Sequence, residues 1–442
     1  MKKFDKSTAQ LFRAELSIPL GSQTFSKSKT QYPVGISPLY ASKSKGAYLW
    51  DIDDNKYIDL VNSLAAVTLG YGDKGLQKSI LKQLKLGVSL SLPTKIESEV
   101  AELVIDLVPS AEMVRFSKNG SDATSAAIRL ARAFTGRDQI VACGYHGWHD
   151  WYIAANLAEE ASLNSHLFPG IEPTGVPRGL AGTALPFSYG NLDELSDLLE
   201  KNKGQVAAII MEPLRSSMPP DGYLAGVKTL CADHGAIFIM DEITAGIRYS
   251  TGGAQQYLGV IPDMAVFAKS ISNGYPMGVV VGKREFMEPA SRMFISSTYW
   301  SDTIGLRATL STLNEVRRRD VPGQLQKFGA ELKRGLKVVA NEVGLDVGCI
   351  GNDVMPMLQF SIDDQNLKNQ AVTLYIQEMA KRGCHGYASF YLNAAQGEAE
   401  LGQTLQAARE TFIIIRDGIA RKKVADLLEC SVQKDAFRRL VK

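Results

Sequence analysis

The chain has 442 residues, 45% hydrophobic and 22% charged, so it can bury a sizeable core, and its length suggests two or three domains. A formal net charge of +2 leaves no electrostatic footprint for nucleic acid or an anionic membrane. No apolar run reaches the roughly 20 residues that a membrane helix needs.

The N-terminus, Met1-Lys2-Lys3-Phe4-Asp5-Lys6, has no apolar stretch behind its charges and predicts no signal peptide. Residues 47–52 and 57–60 read as strands flanking the turn former Asp53-Asp54-Asn55, and one helical stretch is expected over about 75–108. The middle of the chain alternates. Apolar β-type runs stand at 113–116, 140–143, 206–211, 236–240 and 264–268, with amphipathic patterns between several of them. Ala123, Ala127, Leu130, Ala131 and Phe134 share one helix face. Such alternation predicts an α/β domain with a mostly parallel sheet flanked by helices. The part from about residue 304 is helix-rich with a few strands, such as 357–360, and reads as a smaller α+β domain. The expected division is an arm and hairpin over 1–70 that joins the small domain, a large domain over 71–303, and the rest of the small domain over 304–442.

Five scattered cysteines without a C-x-x-C spacing fit reduced thiols of a cytoplasmic protein better than a disulfide framework or zinc site. His146 and His149 have no partner ligands nearby in sequence, so no metal site is expected. The runs Arg317-Arg318-Arg319 and Arg421-Lys422-Lys423 read as solvated helix faces.

In open α/β sheets ligands gather at the carboxyl ends of strands. Here those ends present Ser117-Lys118-Asn119-Gly120-Ser121-Asp122, then Gly144-Tyr145-His146-Gly147, then Glu212, Asp241 and Lys269. The loop at Gly120-Ser121 opens a helix, whose free N–H groups suit a phosphate, although Ser121 or Asp122 also reads as an ordinary N-cap. Asp241 ends a buried strand, where a carboxylate needs a partner; a protonated ring nitrogen or loop amides would both serve. Lys269 follows an apolar run, which suits a nucleophilic amine of lowered pKa or a lysine that snorkels to the surface. Taken together, the five ends could hold an anionic, aromatic, carbonyl-bearing cofactor. Walker and G-x-G-x-x-G loops are absent, which counts against a nucleotide-binding P-loop and a Rossmann dehydrogenase.

These residues resemble a known family. Phe116-Ser117-Lys118-Asn119-Gly120-Ser121-Asp122-Ala123 resembles the phosphate loop of class III aminotransferases, and Tyr145-His146-Gly147 is similar to their aromatic motif. Asp241-Glu242-Ile243 resembles their Asp-Glu-Val motif, residues 262–269 with Gly274-Tyr275-Pro276-Met277-Gly278 their lysine motif, and Ser297-Thr298-Tyr299 the segment that reaches a neighbouring subunit. The likeness is strong over about 30–310 and weaker to about 420. Gly252-Gly253-Ala254-Gln255 looks closest to glutamate-1-semialdehyde aminomutase.

The resemblance implies the fold of type I enzymes that use pyridoxal 5′-phosphate, with a large and a small domain, and a homodimer. It implies that Lys269 holds the cofactor as a Schiff base and moves protons, that Asp241 pairs with the ring nitrogen, and that Tyr145 and Ile243 pack on the two ring faces. Gly120 and Ser121 would hold the phosphate, with Thr298 from the second subunit; His146 of the aromatic motif counts among the cofactor-binding residues, and Glu212 resembles a second carboxylate near the ring in a supporting role. Lys269, Asp241 and Tyr145 form the implied catalytic set.

Departures from the family bear on the substrate. Lys27 stands where the aminomutase has a carboxylate-binding arginine, Leu64 where it has a tryptophan near Ser63, and Ala388 where it has a glutamate. The stretch 385–393 holds no arginine, but His385, Tyr387, Tyr391 and Asn393 offer hydroxyl-binding groups or core packing. The insertion-like stretch 151–178, with Trp151 and His166, is a candidate for shaping the entrance. These changes point to an aminotransferase with glutamate as donor and a keto-sugar or other hydroxylated carbonyl compound as acceptor. An intramolecular aminomutase, a class III-like racemase or epimerase, and a binding protein on the same fold are the alternatives.

Overall fold

The computed structural model describes residues 3–158, 162–164, 166, 170–214 and 217–433. Two compact units form: one from the chain up to Asp73 together with the part from Gly323, the other from Lys74 to Pro322.

The second unit is built on a seven-stranded sheet. Its strands are β1 (Met113–Ser117), β2 (Gln139–Cys143), β3 (Ala184–Pro186), β4 (Val206–Met211), β5 (Ile237–Asp241), β6 (Met264–Phe267) and β7 (Gly278–Gly282). Their order is β1-β7-β6-β5-β4-β2-β3. Only β7 runs against its neighbours, so the carboxyl ends of β1 to β6 share one edge. β4, β5 and β6 are buried along their whole length, which explains their unbroken apolar runs. β3 and β7 did not register as strands in the sequence: β3 is three residues long and contains a proline, and β7 is a valine run between two glycines that follows a turn signal.

The helical stretch expected over 75–108 is two helices, α1 (Lys74–Leu84) and α2 (Lys95–Leu107). Gly87 at φ 103° and Pro93 interrupt it, and a capping box between Thr94 and Glu97 restarts it. Helix α3 (Gly120–Thr135) lies on β7, β6 and β4. Its Ala123, Ala127, Leu130 and Ala131 are fully buried, whereas Phe134 is 44% exposed and meets Phe286 edge-on. The N-cap is Asn119, whose side chain accepts the Asp122 N–H at 2.8 Å, rather than Ser121 or Asp122. Helix α4 (Thr303–Arg319) packs on α1 and α2 in this unit, and its final arginines pair with Asp106 and Glu315 at the surface.

Glu242, next to β5, is fully buried. Its carboxylate accepts the N–H groups of Ala254 and Gln255 and the Gln255 side-chain amide. Burial nevertheless pushes its pKa up to about 7. A raised acid pKa means that the native state holds the proton where the unfolded chain, near 4.5, has released it, so this group weakens folding as pH rises from about 4.5 to about 7. Glu242→Gln is expected to flatten that part of the stability profile. Urea unfolding midpoints taken across the interval check it, and a parental slope in the variant would refute it.

The first unit contains a four-stranded sheet of Ala41–Lys45, Tyr48–Asp51, Lys56–Asp59 and Cys384–His385, with the last pair parallel. A ribbon of Val347–Ile350 and Met357–Phe360 and the helices Gln365–Lys381 and Glu398–Ala420 complete it. Asn62, Ser63, Leu64 and Ala65 all have φ between 48° and 67°. Each such residue costs about 1–2 kcal/mol. The turn persists because Asp59 accepts the N–H groups of Val61 and Asn62, and because Asn62 bonds Asn393 and the Tyr391 carbonyl. No glycine marks this turn in the sequence.

Candidate functional site

At the carboxyl edge of the large sheet, a cavity of about 350 Å³ is lined by residues from four of the strand ends named above. Gly120, Ser121, Tyr145, Ile243 and Lys269 all border it, as do Lys118, Trp148, Thr244 and Tyr275.

Close packing fixes its loops. A Cβ on Gly120 would lie 2.7 Å from Ile243 Cδ1, so the start of α3 and the turn after β5 touch because that side chain is missing. Gly147 has φ 102°, and a Cβ there would lie 2.4 Å from Ser121 Oγ. Glycine is therefore required at 147 twice over, and the arrangement places the Ser121 hydroxyl beside the N-terminus of a 16-residue helix.

Glu212 accepts the Tyr145 N–H at 3.0 Å, which pins the backbone below the half-exposed Tyr145 ring. That ring sits edge-on to Tyr152, 6.2 Å between centroids. Asp241 is 2% exposed. Its Oδ1 accepts the Ile243 N–H at 3.0 Å, and its Oδ2 lies 2.7 Å from His146 Nδ1. His146 stacks on Trp151, and its buried Nε2 has no hydrogen-bond partner among the described residues. With Nδ1–H donating to Asp241, the imidazole orients that carboxylate.

Lys269 has φ 49°, a strained backbone for a lysine, and its Nζ donates to Thr244 Oγ1 at 2.8 Å. Burial holds its amine below the usual lysine range; Arg248 pushes the same way, while Glu212 and Asp241 oppose it.

Of the expected residues, Gly120, Ser121, Tyr145, Ile243 and Lys269 line one cavity, and Glu212, Asp241 and His146 stand behind that lining, bonded to the Tyr145 N–H, to the Ile243 N–H and to Asp241. Thr298 does not: it is exposed, in the turn Thr298–Ser301, outside the cavity lining. Sequence reasoning missed Thr244, whose role depends on a contact 25 residues away, and the ion pair of Lys118 with Asp302, which spans 184 residues. Asp302 also caps α4 through the N–H groups of Ile304 and Gly305. His166, expected at the entrance, instead supports the site's backbone: its Nδ1 accepts the Gly144 N–H at 3.0 Å, while Tyr152 OH donates to the Gly144 carbonyl. Together they fix the backbone before Tyr145.

In the first unit, the groups considered for hydroxyl binding are engaged within the fold. Tyr387 accepts from Tyr32 and donates to the Ser26 carbonyl; Asn393 donates to Asn62; His385 packs against Tyr32, 4.7 Å between centroids.

The cavity offers a helix N-terminus with a glycine and a serine, a half-exposed aromatic ring and an enclosed amine, and the buried Asp241 carboxylate holds the backbone of its lining residue Ile243. This set suits a phosphate, a flat ring with a basic nitrogen, and a carbonyl carbon. The comparisons agree. A family model described as aminotransferase class-III matches residues 31–374. The chain is 32% identical over 405 residues to a glutamate-1-semialdehyde 2,1-aminomutase of Syntrophobacter fumaroxidans, covering 87% of this chain and 92% of that one. It is equally identical over 401 residues to a 3-aminobutyryl-CoA aminotransferase of Cloacimonas acidaminovorans, covering 86% and 91%. Among solved structures, the FumI protein of Sphingopyxis sp. MTA144, in a form carrying pyridoxal phosphate, superposes with a TM-score of 0.86 at 26% identity, covering 96% of this chain and all of that one. The chain belongs to the class III aminotransferases, enzymes of the fold type I architecture that depend on pyridoxal phosphate.

Proposed function

We propose that the cavity holds pyridoxal phosphate on Lys269 and that the enzyme moves an amino group from glutamate to a carbonyl acceptor. The observation that carries this reading is an enclosed amine of lowered pKa lining the cavity, with the buried Asp241 carboxylate close enough to act on its charge. Gly120 and Ser121 would hold the phosphate, and Tyr145 and Ile243 would flank the ring. Asp241, oriented by His146, would meet the ring nitrogen and keep a proton on it. Glu212 would hold Tyr145 in place through its backbone N–H. When bound, the cofactor supplies an electron-withdrawing ring that stabilises negative charge on the substrate carbon. The Lys269 amine, whose pKa burial lowers, would remove and return a proton at that carbon.

A second copy of the chain would supply Thr298. In support, Leu81, Leu84, Leu86, Val88, Leu90 and Leu92 are all exposed, as are Phe294 and Tyr299, an apolar surface of the kind that marks an interface. Five free cysteines favour a reducing, cytoplasmic setting, and among the described residues no helix is long and apolar enough to cross a membrane. The hydroxylated acceptor, such as a keto-sugar, is supported by the lack of an arginine over 385–393; because Tyr387 and Asn393 are engaged elsewhere, other side chains would have to receive its hydroxyls.

The test is glutamate alone. The loaded enzyme is expected to lose its visible absorbance band and release one 2-oxoglutarate per site without any acceptor. An intramolecular aminomutase, the reading that the Syntrophobacter relative favours, would release none.

A further inference from the structure

Among the described residues, the Lys269 amine makes one hydrogen bond, to Thr244 Oγ1 at 2.8 Å. Both side chains border the cavity. Thr244 stands three residues beyond Asp241, in a turn that the Asp241–Ile243 hydrogen bond keeps closed. Its side chain is β-branched, so its hydroxyl has few rotamers to choose from. The Lys269 side chain is long and flexible, and its charge surroundings include Glu212 and Asp241. Either carboxylate would hold the amine as an ammonium and cancel its use as a base. A hydroxyl that accepts one N–H leaves the nitrogen lone pair free.

We propose that Thr244 is a positioning residue that docks the Lys269 amine whenever this amine is not bonded to the cofactor. It keeps Nζ away from the neighbouring carboxylates and fixes the point from which Nζ moves protons. This inference rests on the assignment of Lys269 as the cofactor lysine.

Thr244→Val keeps the shape and removes the hydroxyl, while Thr244→Ser keeps the hydroxyl. In the valine variant, kcat with glutamate is expected to fall roughly tenfold, about the worth of one hydrogen bond, with KM nearly unchanged. The isotope effect with α-deuterated glutamate should rise, because the proton step becomes slower relative to the others. Cofactor-free enzyme carrying the substitution should capture added pyridoxal phosphate more slowly by a similar factor. Thr244→Ser should restore all three. A valine variant with parental isotope effect and capture rate would overturn the dock. Borohydride reduction of the parent enzyme, followed by peptide mapping, separates the two levels: failure to find the cofactor on Lys269 would overturn the cavity assignment itself, and the dock with it.

Discussion

Lys269→Ala is expected to lower the rate of amino transfer by more than about 10³-fold, because both the anchoring amine and the proton carrier leave with one side chain. The backbone at 269 sits at φ 49° in the parent protein. Alanine carries the same Cβ penalty there as lysine, so the substitution adds no new strain. The lost hydrogen bond to Thr244 leaves a hydroxyl facing the cavity rather than a buried orphan. β5 and β6, which position the site, are packed by apolar residues that the substitution does not touch. The cofactor-free variant should therefore melt within a few degrees of the cofactor-free parent. Single-turnover release of 2-oxoglutarate measures the loss, and a small added amine should restore a fraction of the rate. A mere halving of the rate, with the fold intact, would remove Lys269 from its assigned role.

Much of the site was legible because strands announce their own ends. The apolar runs that stop before Glu212, Asp241 and Lys269 are buried strands in the structure, and their polar successors fall at one edge because the sheet is parallel there. The phosphate-type loop was legible through its glycine, although its cap was misplaced by two or three residues: Asn119 performs it. What stayed hidden depends on chain segments meeting from afar. Nothing local in Lys118 forecasts Asp302, and nothing local in Thr244 forecasts the Lys269 amine. The antiparallel β7 was masked by its flanking glycines. Gly278 is nevertheless needed, since a Cβ there would lie 2.3 Å from Ser117 Oγ. The left-handed turn Asn62–Ala65 was equally silent, because its strain is offset by Asp59 and Asn393 rather than by a glycine in the turn.

Asp241→Asn is expected to slow amino transfer by about 10²–10³-fold while leaving the fold in place, the scale typical of removing one preorganised electrostatic partner from a site where charge develops. The asparagine oxygen can still accept the Ile243 N–H that closes the turn. Its amide would face His146 Nδ1, which can take the other tautomer and accept, placing the proton on the buried Nε2 that now lacks a partner. The bonds to Ile243 and His146 are thus kept and the negative charge disappears, while Nε2, unmatched among the described residues as an acceptor in the parent, becomes an unmatched donor. Asp241→Ala differs: it strands a buried imidazole N–H and the Ile243 N–H, at about 1–3 kcal/mol for each unsatisfied group, so it loses stability as well as rate. Comparing the two variants separates charge from scaffolding. If the carboxylate acts through its charge on the ring nitrogen, the asparagine variant should bind a full equivalent of cofactor, melt near the parent and turn over slowly. If it serves only to tie β5 to the His146 loop, the asparagine variant should transfer amino groups within about threefold of the parent, well short of the loss that an electrostatic role requires.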